Sequence, residues 1–150
     1  MLTLDYKREL VSFCILELQK KELELQQEID EAMKSANDYG APKDRYDGFK
    51  NQQMRKIEMF TAQQHLIQSD IRTYQQIDLS HPCLTVKMGA LFTTNNQTIF
   101  IATAMGKLLF KEKTIVVISP KVPFYEAFKD AKIGDSVLFR DQKMSVLDLI

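Results

Sequence analysis

Between Ser35 and Lys50 the chain reads SANDYGAPKDRYDGFK, and here side chains capable of chemistry are densest: Asp38, Asp44 and Asp47 stand among Lys43, Arg45, Lys50 and the rings of Tyr39, Tyr46 and Phe49. A carboxylate in a bend has local work available. Asp44 sits where a helix N-cap would, Asp47 three residues on can act as the acid of a capping box, and Asp38 beside Asn37 can end a helix or hold a turn. The cations, with Arg55 and Lys56 beyond them, are of the type that contacts phosphate, and a solvated helix face is the plainer account of them. The rings can stack on a base or close the end of a hairpin.

Other chemistry is thin. His65 falls on the outer side of a helical pattern, while His81 and Cys83 flank Pro82 without the second ligand pair that a zinc site needs. There is no Gly-rich phosphate loop and no serine or cysteine with a triad around it. The chain of 150 residues carries 20 Lys plus Arg against 20 Asp plus Glu, so it lacks the whole-chain field of a duplex DNA binder. Two distant cysteines fit reduced thiols, and no apolar run approaches a membrane span. The expectation is a soluble, cytoplasmic chain.

The elements that must hold the bend have two different periods. Val11, Ile15, Leu18, Leu25, Ile29, Ala32 and Ala36 follow steps of three and four, broken once at Glu22, and Ile57, Phe60, Gln64, Ile67, Ile71 and Tyr74 repeat the pattern. Each stripe is narrow enough that the simplest way to bury it is against the other, as an antiparallel coiled-coil hairpin turning at residues 37 to 45, roughly 40 Å long. Leu10, Phe13, Leu16 and Leu23 lie off the seam. Past Ser80-His81-Pro82 the period becomes two. Strands are predicted over 84–90, 98–102, 114–118, 136–139 and 144–147, with a turn at 93–96 and a helix over 122–132. That gives an α+β fold in two domains, 1–77 and 78–150, the second an antiparallel sheet of about five strands with one helix.

This order of parts, with Val117-Ile118-Ser119-Pro120-Lys121-Val122-Pro123-Phe124, Ala127-Phe128, Ile133-Gly134-Asp135-Ser136-Val137 and Val146-Leu147-Asp148-Leu149, resembles the Gre family of bacterial transcript-cleavage factors. The family's string runs Ile-Ser-Pro-x-Ser-Pro-Leu-Gly-x-Ala-Leu-Leu, then Lys-x-Gly-Asp-x-Val. The resemblance implies an FKBP-like C-terminal module docking at the secondary channel of RNA polymerase, here through Ser119, Pro120, Val122, Pro123 and Phe124. It also implies a helical finger that enters the channel. Acidic residues at the fingertip of such factors help to hold a magnesium ion shared with the polymerase active centre, where backtracked RNA is hydrolysed. Magnesium suits one or two protein carboxylates completed by water and phosphate.

Carried onto this chain, the resemblance makes Asp38 and Asp44 the magnesium-binding and catalytic acids, with Asp47 in reserve, and lets Lys43, Arg45 and Lys50 meet the RNA 3′ end. The factor would have no cofactor of its own and would not itself be the enzyme, and it would read no DNA sequence. The tip departs from the family's Asp-Leu-Ser-Glu-Asn-x-x-Tyr: matching Asp38 and Tyr46 to its ends requires one extra residue, and the family's glutamate then falls near Pro42. That departure favours a non-catalytic regulator of the same channel as the alternative. A coiled-coil scaffold or holdase is a third reading. Prolyl isomerase activity is not expected, since no aromatic pocket is evident.

Overall fold

The computed structural model describes residues 1–37 and 44–150, with 44–47 described by their backbone alone. Two long helices, α1 (Leu4–Asn37) and α2 (Asp44–Gln75), precede strands β1 (Leu91–Thr94), β2 (Thr98–Ile101), β3 (Gly106–Phe110) and β4 (Lys113–Ile118). A short helix α3 (Pro123–Phe128) and strands β5 (Ser136–Phe139) and β6 (Gln142–Leu149) complete the chain. The fold is α+β. It packs as two compact units, Ile15–Arg72 and a discontinuous unit formed by Met1–Cys14 with Thr73–Ile150. The division expected at residue 77 follows chain order; the packing division also groups the first 14 residues with the sheet.

In the helical unit the predicted stripe is the buried one. Leu18, Ile29, Ala32 and Ala36 are buried, and Ile15, Leu25, Ile57, Phe60, Ile67 and Ile71 are half-buried. The two polar positions of the seam meet each other: Gln64 Nε2 donates to the Glu22 carbonyl at 3.5 Å and to Gln26 Oε1 at 3.0 Å. Residues 22–26 thus face 64, while Ala32 and Ser35 share a groove with Gln53 and Lys56, the inverse order of an antiparallel hairpin. Off the seam, Leu16 and Leu23 are exposed.

In the second unit six strands, not about five, form one sheet in the order β3-β4-β2-β1-β6-β5. One pair corrects the expectation of an antiparallel sheet: β2 runs parallel to β4, with Thr98 beside Ile115 and Ile101 beside Ile118. β2 is buried along its whole length because both faces of the sheet are covered. On one side Phe128 of α3 packs on Phe92 at 5.5 Å, within a core that includes Ile99, Ile101, Met144 and Val146. On the other, Tyr6 and Phe13 of α1 lie against Phe110 at 5.3 and 5.2 Å, and Tyr74 lies 6.2 Å from Phe100.

The strand expected over 84–90 is irregular chain. Val86 exchanges backbone hydrogen bonds with the α3–β5 connection, accepting from Asp130 N–H and donating to Ala131 O, and Gly89 turns the chain at φ +88°. The alternation of Leu84, Val86 and Met88 reflects one buried residue, Val86, between two exposed ones. β1 therefore begins at Leu91, and the turn expected at 93–96 contracts to the residues between Thr94 and Thr98. α3 is shorter than the predicted 122–132 helix: Lys129 N–H closes on Tyr125 O, and Asp130 adopts a left-handed φ of 65° that ends it. β3 forms in a stretch for which the sequence predicts no strand.

Candidate functional site

The candidate acids of the bend divide by position. Asp38 and Lys43 lie outside the described residues, and so do the side chains of Asp44, Arg45 and Asp47. The backbone places Asp44 at the first position of α2 and Asp47 within its first turn. Lys50, the third candidate RNA contact, is one turn further along and exposed. The fit of Asp38 and Asp44 to a magnesium ion thus lies outside the described residues. Among the described residues no three His, Cys, Asp or Glu side chains are grouped so as to hold a metal, and no helix is long and apolar enough to cross a membrane.

The Ser-Pro and Gly-Asp motifs are turn chemistry first. β4 ends at Ile118, after which Ser119 Oγ accepts the Lys121 N–H at 3.1 Å and Ser119 O accepts from Val122 at 3.4 Å. Pro123 opens α3, the position where a missing N–H costs nothing. Gly134 adopts φ +92°, a conformation an L side chain resists, while its N–H bonds Val146 O. Asp135 holds the same turn, its Oδ2 accepting Lys132 N–H at 2.8 Å and its carbonyl accepting Val146 N–H.

The candidate docking residues are of two kinds. Phe124 stacks on Phe128 at 4.7 Å and meets Phe139 edge-on at 5.2 Å, and Val122 packs against the same core. Pro123 is exposed, as is Lys121 between the candidates, and Ser119 and Pro120 are half-exposed. Phe124 and Val122 therefore support the surface from below, and the solvent-facing edge is Ser119-Pro120-Lys121 with Pro123.

Around residues 78–83 the structure shows contacts that composition did not. Asp78 Oδ1 accepts Ser80 N–H at 2.8 Å and its Oδ2 lies 3.1 Å from His81 Nδ1; the first of these, then the second, holds the carboxyl below its usual range. Cys83 is buried, and Lys7 Nζ lies 3.5 Å from its sulfur and 3.2 Å from Ile150 O. Lys7 itself is 0% exposed. Sequence reading passed over Lys7, although it lies four residues before Val11, in phase with the seam; a lysine in step with an apolar stripe was the available signal.

No family model and no curated protein matches the sequence. Among solved structures the chain is similar to GreA factor homolog 1 (Gfh1) of Thermus thermophilus, with 11% sequence identity, a TM-score of 0.35 and coverage of 93% of this chain and 94% of that one.

Proposed function

We propose that this chain is a Gre-like transcription elongation factor that binds RNA polymerase and delivers the 38–47 bend into its secondary channel, stimulating cleavage of backtracked RNA. The observation that carries the reading is the order of parts. A long antiparallel helical hairpin precedes an α+β sheet unit, and that unit bears the Ser119-Pro120 strand exit and the Gly134-Asp135 turn as formed structural features. In this reading Ser119, Pro120, Lys121 and Pro123 meet the polymerase, Val122 and Phe124 hold that edge in place, and Lys43, Arg45 and Lys50 meet the RNA 3′ end. Asp38 and Asp44 are the oxygen donors to the shared magnesium ion, which supplies charge to the phosphodiester. The factor works in the cytoplasm and is not itself the hydrolase.

The test is to add the protein with magnesium to stalled, backtracked elongation complexes. RNA shortening is expected, abolished by Asp38→Ala with Asp44→Ala while binding persists; complete absence of shortening at saturating protein sinks the cleavage claim. A second reading, a non-catalytic occupant of the channel, is favoured by one observation: Lys43, Arg45 and Lys50 offset the three aspartates of the bend. Its signature is inhibition of nucleotide addition with no shortening.

A further inference from the structure

Lys7 and Cys83 are an unusual pair to bury. Burying an ammonium carries a large desolvation cost, and Lys7, with no exposed surface, holds its Nζ 3.5 Å from the Cys83 sulfur and 3.2 Å from the Ile150 oxygen. Methionine or leucine would fill the same volume without that desolvation cost. Cys83 also borders open space. Cys83, at 8% exposure, lines a cavity of about 250 Å³ with Ile77, Asp78, His81, Pro82, Lys87 and Met88, which gives a small oxidant room beside this residue.

We propose that Lys7 and Cys83 form an oxidant-driven covalent cross-link, a modification site in which a peroxide is the co-reactant. In the first step the thiol attacks the peroxide O–O bond, giving a sulfenic acid and water: sulfur is oxidised and the peroxide reduced. In the second, the Lys7 nitrogen lone pair attacks that sulfur. The S–N bond forms as the S–O bond breaks, and the hydroxyl leaves with an amine proton as a second water. The Ile150 oxygen holds one N–H of the amine and leaves the nitrogen beside the sulfur. Burial lowers the proton affinity of Lys7, which shifts it in the direction of the neutral amine that this attack needs. The link joins the start of α1 to the chain leading into β1 and stands independently of the polymerase reading.

The experiment treats the purified protein with hydrogen peroxide and maps it by intact mass and by tryptic peptides. Expected is the loss of two hydrogens from the intact chain and a joined peptide pair carrying Lys7 and Cys83, uncleaved after Lys7. Dithiothreitol restores both peptides. Cys14→Ser retains the link; Cys83→Ser loses it; Lys7→Arg, whose guanidinium keeps the charge but is not nucleophilic, leaves Cys83 oxidised and unlinked. Recovery from the wild-type protein of Cys83 only as sulfinic or sulfonic acid, as a disulfide with Cys14, or as unreacted thiol overturns the proposal.

Discussion

The Tyr6 hydroxyl is buried with no hydrogen-bond partner, while its ring packs edge-on against Phe110. Desolvation of that group raises its pKa and costs stability. Tyr6→Phe keeps the ring contact and removes the orphaned oxygen, so it should stabilise the protein by about 1 kcal/mol in urea denaturation. Lys7 has the opposite linkage from most lysines, because burial lowers its pKa from 10.5. Between the lowered value and 10.5 the unfolded chain holds a proton that the native chain has lost, so unfolding becomes harder as pH rises through that window. Below the window both states are charged and the full burial penalty applies. Lys7→Met should therefore raise the melting temperature below that window and flatten the alkaline rise; a steeper rise in the variant would contradict this assignment.

At the scale of elements, the hairpin seam and the turns set the costs. Ile29 is buried in the seam and Leu23 is exposed, so Ile29→Ala should cost about 2–4 kcal/mol while Leu23→Ala changes stability by less than about 0.5 kcal/mol. Gly89 combines φ +88° with a position where a Cβ would stand 3.1 Å from Ile77 Cγ2. Gly89→Ala should cost about 1–3 kcal/mol, read by chemical denaturation. The β3–β4 turn carries Lys111 and Glu112 at φ 49° and 63°. Left-handed conformation suits glycine better than glutamate, so Glu112→Gly should stabilise by about 1 kcal/mol.

For the whole molecule, two compact units with their own buried side chains imply separable responses. Ile29→Ala should speed amide exchange within 15–37 and 48–72 and leave β1, β2, β4 and β6 protected. Phe128→Ala should do the reverse, because Phe128 packs on Phe92 in the core of the sheet unit. The same division orders the functional tests. Phe124 packs on Phe128 and Phe139, so truncating it would perturb the sheet unit together with any docking. Lys121→Glu alters the exposed edge alone, and it is expected to weaken polymerase binding while leaving the melting temperature unchanged.

By itself the sequence determined the helical seam, since burial of Leu18, Ile29, Ala32 and Ala36 follows from a period repeated in two segments that match each other. It also determined β2, β4 and the β5–β6 hairpin, whose apolar runs end at turn residues. The acids and cations of the bend were legible as residue types; their geometry lies outside the described residues. Tertiary structure alone decided the rest. β3 is an edge strand with mostly exposed side chains and a turn lacking glycine, so it leaves no alternating signal. The 84–90 segment alternates like a strand, yet its backbone is satisfied by residues 130 and 131. The parallel β2–β4 pairing and the meeting of Lys7 with Cys83 join residues far apart in the chain. A local period reports which face is buried; which distant group does the burying is settled only when the chain closes on itself.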